Sequence, residues 1–184
     1  MPLPAVISVP SSLPDGVTLR PLVQHGDHRG SVSELFRQEW TTGIVPVQWT
    51  LSKSRPGVLR GIHVHAHHMD YLVVIDGHVT VGLRDLRPES PTADRAIAFS
   101  LRGDELTALT IPPGVAHGLL FHEASTYVLA TDEAWTPSDD LGCHWADPAL
   151  GIDWPMTPTF ISERDTALPP LRKLLPALAA RRAP

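Results

Sequence analysis

Short apolar stretches, broken by glycine, proline or aspartate, recur along most of this chain. They are rich in valine, isoleucine, leucine and threonine, which favour strands over helices. The predicted strands cover residues 17–24, 31–40, 44–52, 58–64, 71–75, 79–85, 95–101, 106–111, 117–121 and 126–131. About ten strands at this spacing predict an all-β fold, a double-sheet jelly roll or barrel.

Three segments fall outside this pattern. Residues 87–94 read RPESPTAD and predict a loop. Residues 136–158 carry prolines, acids and two tryptophans, so we expect them to wrap the barrel rather than pair within it. Residues 167–182 predict one short C-terminal helix that its prolines interrupt, at Pro169, Pro170 and Pro176. The basic residues of that helix predict a solvated face rather than a binding patch: Arg172, Lys173, Arg181 and Arg182.

Composition narrows the class of protein. The chain has 184 residues with 19 prolines and 13 glycines, which suits one domain over residues 1–184, with a core at about 17–165 and a helical tail at 167–182. The net charge of −5 and the pI of about 6.0 make nucleic acid an unexpected partner. A single cysteine, Cys143, excludes an internal disulfide and predicts a structural thiol. We expect no membrane span, no signal peptide and a cytoplasmic location.

The densest polar pattern lies between Gly57 and His68, in GVLRGIHVHAHH. His63 and His65 are two positions apart and therefore share one face of a strand. Asp70 follows, at the head of an apolar run that ends at Gly77. A further imidazole, His117, closes a P-x-G-x-x-H motif much later in the chain. The pattern predicts a small β-barrel that gathers polar side chains in its interior.

Over residues 17–171 the chain resembles the dTDP-4-dehydrorhamnose 3,5-epimerase family, which acts on dTDP-4-keto-6-deoxyhexoses within the cupin superfamily. The resemblance rests on separated motifs in the family's order: DHRG at 27–30, LRGIH at 59–63, SPT at 90–92, PPGVAHG at 112–118, GIDWP at 151–155 and ISERD at 161–165. It implies a cupin fold, a double-stranded β-helix jelly-roll barrel. It also implies a homodimer, in which an N-terminal strand of one subunit completes the sheet of the other.

The resemblance also implies the chemistry. The family's general base, a histidine oriented by an aspartate, corresponds to His63 and Asp165. A carboxylate on one ring nitrogen fixes the tautomer and stabilises the imidazolium that forms. The positions that hold substrate correspond to Arg29, Glu34, Gln48, Arg60, His117, Trp135 and Arg164. Three of these are arginines, which could clamp a diphosphate through bidentate hydrogen bonds. Arg29 is a residue that could reach the partner subunit's site.

Two positions depart from the family's pattern. The lysine that faces the developing enolate falls on Asp70, and the tyrosine that returns the proton falls on Leu129. A unit charge at about 4 Å contributes roughly 4 kcal/mol at an effective dielectric near 20, so reversing its sign could raise the barrier by roughly 8 kcal/mol. Tyr127 lies two positions before Leu129 on the same strand face and is a candidate replacement acid.

A second interpretation of Asp70 is a metal site. Gly57, His63, His65, Asp70 and Gly77 match the first cupin metal motif, with aspartate in place of glutamate, and His117 belongs to the second. His63, His65, Asp70 and His117 would suit Zn(II), Fe(II), Ni(II), Mn(II) or Cu(II), although the resembled family requires no cofactor. The alternative is a hydrogen-bonded polar cluster, because His63 cannot be both a ligand and a base held by Asp165.

The remaining aromatic and histidine residues receive simpler interpretations. His67 and His68 are predicted to face solvent. No functional role is predicted for the histidines that lack a recognisable set of partner residues in the sequence, which are His25, His28, His78, His122 and His144. Trp49 is predicted to face the cavity with Trp135, whereas Trp145 and Trp154 are predicted to pack beneath the loop.

These observations leave three classes of function open. The first is an atypical epimerase or isomerase of a dTDP-4-keto-6-deoxyhexose in sugar-nucleotide or natural-product biosynthesis. The second is a metal-dependent cupin, or a cyclase or isomerase of a non-sugar secondary metabolite. The third is a non-catalytic relative that binds the ligand without converting it.

Overall fold

The structure, a computed structural model, describes residues 12–137 and 139–182. The first sheet has the strand order β1 (Thr18–Pro21), β9 (Thr107–Ile111), β6 (Asp70–Asp76), β11 (Ser125–Thr131) and β4 (Gln48–Ser54). The second has the order β12 (Leu141–Gly142), β5 (Leu59–Val64), β10 (Val115–Phe121), β7 (His78–Asp85) and β8 (Ala96–Arg102). A separate hairpin consists of β2 (Gln24–Asp27) and β3 (Gly30–Ser33). The helices are α1 (Glu163–Thr166) and α2 (Leu171–Arg182), and a 3-10 turn spans Pro148–Leu150.

The main core lies between the two sheets. Because side chains alternate across a strand, each strand sends every second residue inward. The inward residues include Leu72, Val81, Leu109 and Phe121, all of them buried. This double-sheet arrangement confirms the predicted jelly roll.

The outward faces of the central strands are also covered, which explains the nearly continuous apolar run in β6. On the second sheet, Leu174 and Leu178 of α2 pack in a cluster with Ile62 and Val64 of β5. Burying each such leucine contributes about 1.5–3 kcal/mol. On the first sheet, a cluster around Tyr71 and Val73 covers the outer face, and the Tyr71 hydroxyl donates to the Leu35 carbonyl at 2.5 Å.

Strands β5 to β11 match the predicted segments closely, whereas the N-terminal part differs. Residues 34–40, predicted as strand, lie outside any strand because Leu35 and Phe36 pack on the outer cluster of the first sheet. The strand expected at 44–52 is displaced to Gln48–Ser54. Pro46 has no backbone N–H with which to extend it.

The C-terminal part also corrects two expectations. Residues 136–158 do contribute a strand, since β12 pairs with β5 through Leu141 and Gly142. A Cβ on Gly142 would lie 2.3 Å from the Ile62 carbonyl oxygen, so this approach requires glycine. The helix predicted at 167–182 begins only at Leu171, as α2, because residues before proline avoid the helical conformation at the 169–170 pair, and α1 is a separate short helix before it. Pro176 lies inside α2 without ending it.

The other local predictions are confirmed in part. Residues 87–94 form turns between β7 and β8. Cys143 is fully buried, and burial raises the pKa of its thiol to about 12. None of the helices in the described ranges has the length and hydrophobicity to cross a membrane.

Candidate active site

A cavity of about 700 Å³ opens between the sheets. Its walls are inward residues of β4, β5, β6, β10 and β11, and its rim includes the segment before α1. The polar and charged groups that line it include Gln48, Arg60, His63, His65, His68, Asp70, His117, Asp140, Arg164 and Asp165. The fold thus gathers in one cavity most of the side chains that the sequence singled out.

His63 and Asp165 form a hydrogen-bonded pair at one wall of this cavity. His63 Nε2 lies 2.8 Å from Asp165 Oδ1. The carboxylate also accepts from the Gly61 amide at 3.3 Å, and Ser162 caps α1 by accepting from the Asp165 amide at 3.0 Å. Burial alone would raise the pKa of Asp165, but the hydrogen bond and charge of His63 outweigh it and hold this pKa below its usual value.

This pairing fixes the roles of the two ring nitrogens. An ionised carboxylate only accepts, so Nε2 of a neutral His63 carries the proton. Nδ1 of His63 is then the free basic nitrogen. The nearest acid to it is Asp140, whose Oδ1 lies 4.0 Å away.

Gly61 allows His63 to adopt this position. The residue has a φ of 117°, and a Cβ there would lie 2.7 Å from the His117 carbonyl oxygen. The register between β5 and β10 shifts at this point, where His117 pairs with His63 and Gly118 pairs with Gly61. The glycine of the LRGIH motif is therefore required by close strand approach.

Asp70 lies at the opposite wall, among three imidazoles. Its Oδ2 is 3.1 Å from His117 Nε2 and 3.4 Å from His65 Nε2, and its Oδ1 is 3.7 Å from His68 Nε2. The Asp70 side chain is 3% exposed. Oδ1 is buried without a hydrogen-bond partner.

Burial dominates the protonation of this cluster. It raises the pKa of Asp70 to about 7, although the charges of nearby histidines oppose the shift. Burial also lowers the pKa of His65 to about 2 and that of His117 to about 4, and mutual repulsion among the imidazoles adds to both shifts. His65 and His117 are therefore neutral at pH 7.

Three residues of the site were not anticipated from the sequence. His68, predicted to face solvent, is 3% exposed, and its Nδ1 lies 2.8 Å from Asp139 Oδ2. His67 is exposed as expected. Asp139 and Asp140 belong to the site because the segment leading into β12 folds over the cavity mouth. The sequence signal that could have identified Asp139 and Asp140 is that two acidic residues stand next to each other before Leu141.

Of the predicted substrate-binding residues, five line the cavity: Gln48, Arg60, His117, Trp135 and Arg164. Arg60 donates to Ser54 Oγ at 2.9 Å and to the Lys53 carbonyl at 3.3 Å. Arg164 is instead paired with Asp140, at 2.6 Å between Nη1 and Oδ2. The Trp135 amide donates to Gln48 Oε1 at 2.9 Å, which joins two of the predicted residues.

Three predicted site residues lie outside this cavity. Arg29 pairs with Asp27 in the exposed hairpin at 2.6 Å, and Glu34 pairs with Arg37. Trp49, predicted to face the cavity, points outward from β4 and packs edge-on against Phe36. Trp49 alternates with inward Gln48 and Thr50, so the strand places it on the opposite face. Trp145 and Trp154 pack as predicted, in the cluster beneath α2.

Comparisons with known proteins agree with this geometry. The dTDP-4-dehydrorhamnose 3,5-epimerase family model matches residues 10–173. The family's enzyme from Salmonella typhimurium is 30% identical over 180 residues, which cover 92% of this chain and 98% of the relative. This chain belongs to the dTDP-4-dehydrorhamnose 3,5-epimerase family. It is therefore an enzyme of the epimerase class, with the cupin-type jelly roll that the resemblance implied.

Solved structures of the family are similar throughout the chain. The Legionella pneumophila 3,5-epimerase RmlC, in complex with dTDP-4-keto-L-rhamnose, superimposes with a TM-score of 0.82 and 29% identity over 89% of this chain and 92% of that one. NovW, a 4-keto-6-deoxy sugar epimerase from the novobiocin cluster of Streptomyces spheroides, gives a TM-score of 0.84 and 25% identity over 100% of this chain and 96% of that one. The family typically works without a cofactor.

The two positions at which the sequence analysis predicts a departure from the family's pattern both lie inside the cavity. Asp70 and Leu129, which the sequence analysis predicts at the positions of the family's lysine and tyrosine, both line the wall. Tyr127 also lines it and stacks on Phe121 at 5.7 Å between ring centroids. The predicted pair of His63 and Asp165 is thus present in the cavity, and the two predicted departures carry no cation and no hydroxyl.

Proposed function

We propose that this protein is an atypical epimerase or isomerase of a dTDP-4-keto-6-deoxyhexose, acting at C3 or at C5 in sugar-nucleotide or natural-product biosynthesis. One observation carries this proposal. The His63–Asp165 pair lies in the cavity of an epimerase-family fold, and Asp165 holds Nε2 of His63 while Nδ1 lies outside that hydrogen bond.

The proposed reaction is a proton transfer next to the ketone. Nδ1 of His63 takes the proton from the carbon beside C4, and the electron pair of that C–H bond moves onto the ketone oxygen to give an enolate. The Asp165 carboxylate stabilises the imidazolium that results. A proton returned to the opposite face of the carbon completes the inversion. Tyr127 is the proposed donor, because Leu129 has no acidic proton.

Binding of the nucleotide part is assigned to Arg60, Gln48 and Trp135. The guanidinium of Arg60 keeps donors available for a phosphate beyond its two contacts with the protein. Trp135 offers a flat surface on which a base or sugar ring can stack. Arg164 contributes to phosphate binding only by exchanging Asp140 for the diphosphate.

The direct test is solvent exchange. The full chain is incubated with a dTDP-4-keto-6-deoxyhexose in deuterated buffer, and the sugar is analysed by NMR. Deuterium at C3 or C5 with inversion supports the proposal. A substrate without exchange at either carbon, in the presence of confirmed dTDP binding, overturns it in favour of a non-catalytic binding protein.

We also propose a homodimer with shared sites. Edge strand β4 and the residue before it present an outward apolar row, with Val47, Trp49 and Leu51 exposed by 62%, 48% and 64%. Such a row on an edge strand favours pairing with another chain. In a dimer through this face, Arg29 and Glu34 of the neighbouring hairpin become candidates to reach the cavity.

A metal-dependent isomerase is the second candidate function. His65, Asp70 and His117 place three ligand atoms within 4.8 Å of one another inside the same cavity. This candidate includes action on a non-sugar metabolite, which would be indicated by metal-dependent turnover without any affinity for dTDP.

A further inference from the structure

The orientation of three buried imidazoles is set by oxygen acceptors behind them. Nδ1 of His65 lies 3.3 Å from the Asp139 carbonyl, and Nδ1 of His117 lies 3.2 Å from the Val115 carbonyl. Nδ1 of His68 lies 2.8 Å from the Asp139 carboxylate. Carbonyl and carboxylate oxygens only accept, so each Nδ1 carries a proton. In a neutral ring, Nε2 then presents a lone pair.

These lone pairs converge on another acceptor. The Nε2 atoms of His65 and His117 lie 3.4 and 3.1 Å from Oδ2 of Asp70, and Nε2 of His68 lies 3.7 Å from Oδ1. An ionised carboxylate has no proton to donate to any of them. The cluster therefore sets acceptors against acceptors in a buried site, an unfavourable arrangement unless a positive species lies between them.

Added protons resolve this arrangement only partly. One proton on Asp70 makes one hydrogen bond, to His65 or to His117, and leaves the other nitrogen facing an oxygen. Asp70 Oδ1 has no hydrogen-bond partner in either case.

We propose that a divalent first-row transition metal ion binds between His65 Nε2, His117 Nε2 and the Asp70 carboxylate. Ligand atoms on one such ion, with bonds of about 2.0–2.1 Å, lie about 3.0–3.4 Å apart, which the two contacts of Asp70 Oδ2 already match. Two histidines and one carboxylate are a common ligand set for Zn(II) and Fe(II) with open coordination positions.

This ligand set differs from the four residues predicted from the sequence. His63 belongs to none of the groups of three whose ligand atoms lie within 4.8 Å of one another in the described residues, and Asp165 holds its Nε2 instead. The ion and the base therefore use different histidines, which removes the conflict between the two interpretations. Asp139 acts behind the ligands, through its carboxylate on His68 and its carbonyl on His65. His68 stacks on His65 at 3.8 Å between ring centroids and holds that ligand in place.

The ion would supply the positive charge that the family's lysine supplies elsewhere. Bound beside Asp70 in the cavity wall, it would polarise a ketone oxygen and stabilise the enolate. This role rests on the proposed epimerase function, whereas binding of the ion does not.

The test measures metal binding directly. Untagged full-length protein is stripped with a chelator, dialysed and titrated with Co²⁺, and then with Zn²⁺ as competitor. We expect one equivalent of Co²⁺ per chain with visible d–d absorption, displaced by Zn²⁺. Asp70→Asn and His117→Gln are each expected to weaken binding by about 100-fold or more, and Asp139→Asn by about 10–100-fold.

A matched control is His122→Gln, which removes one member of the stacked His78–His122 pair on β7 and the turn after β10. It should leave the Co²⁺ titration unchanged. Melting curves of each chelated variant show whether it is folded. If Asp70→Asn fails to fold, the wild-type spectrum and His117→Gln still decide the outcome.

Three results separate metal binding from catalysis. Binding of less than a tenth of an equivalent, or binding that His122→Gln abolishes and Asp70→Asn does not, overturns the site. Deuterium exchange into the substrate at equal rates in chelated and Zn²⁺-loaded protein overturns the catalytic role alone. Metal binding without deuterium exchange under either condition supports the metal site and overturns the epimerase function.

Discussion

His63 Nε2 lies 2.8 Å from Asp165 Oδ1, although the two residues are 102 positions apart in the chain. Strand β5 carries the imidazole and the short helix α1 carries the carboxylate, so the pair exists only where these elements meet. The contact leaves the other ring nitrogen of His63, Nδ1, as the proposed base, 4.0 Å from Asp140 Oδ1.

Replacing Asp165 tests this relationship. In Asp165→Asn the amide can donate to Nε2 and stabilise the wrong tautomer of His63. We expect the rate of deuterium incorporation at the carbon beside the ketone to fall by about 10²–10⁴-fold. The exposed Asp153→Asn is the control and should retain the wild-type rate. Unchanged exchange in folded Asp165→Asn would remove the pair from the mechanism.

Tyr127 is expected to act after the proton has been removed. In Tyr127→Phe the stacking on Phe121 is kept and only the hydroxyl is lost. We expect deuterium to continue entering the substrate through His63, while the yield of the inverted epimer falls by about 10–100-fold. NMR of the sugar separates the two quantities. Tyr71→Phe, on the outer face of the first sheet, is the control, and a normal epimer yield in Tyr127→Phe would assign reprotonation to water or another group.

Arg60 is expected to dominate binding of the diphosphate. A charge-assisted hydrogen bond contributes about 1.5–3 kcal/mol, so Arg60→Ala should weaken dTDP binding by about 10–100-fold in calorimetric titration. Arg55→Ala removes an exposed arginine from the neighbouring turn and should bind normally. Equal affinity in both variants would place the nucleotide elsewhere.

The exposed row on β4 predicts the oligomeric state. Leu51→Asp puts a charge on the outward face of β4, so we expect the mass measured by light scattering to fall from a dimer to a monomer. Leu175→Asp, an exposed leucine on α2, should leave the dimer intact. A wild-type chain that is monomeric at high concentration would refute this proposal.

The lowered pKa of Asp85 predicts how the stability of the fold depends on pH. Burial of Asp85 would raise its pKa, but hydrogen bonds from Arg87, Ser90 and Thr92 outweigh it and lower the pKa to about 2. A carboxyl pKa lowered from 3.8 to about 2 contributes about 2 kcal/mol above pH 4, and this contribution is lost as the pH falls through 2. Asp85→Asn should therefore unfold more easily at pH 7 by about that amount in urea titrations. The difference from wild type should shrink towards pH 2, and a constant difference would contradict the assignment.

The amino-acid sequence by itself determined the strand pattern from residue 58 to residue 131, because most of those strands are buried on both faces and read as apolar runs between turn residues. It also determined the family, since separated motifs such as LRGIH and ISERD can be recognised without any knowledge of contacts. Within the site, it predicted that Asp165 orients His63, and the structure places the two within hydrogen-bond distance.

Only the tertiary structure decided how these groups are paired. The spacing of His63, His65 and Asp70 suggested a common ligand set, but Asp165 holds His63 and leaves the other two facing His117. His68 looked like a turn residue until the segment carrying Asp139 folded over it, a contact between residues 71 positions apart. Hydrogen-bond direction and burial depend on neighbours distant in the chain, and local periodicity does not encode them.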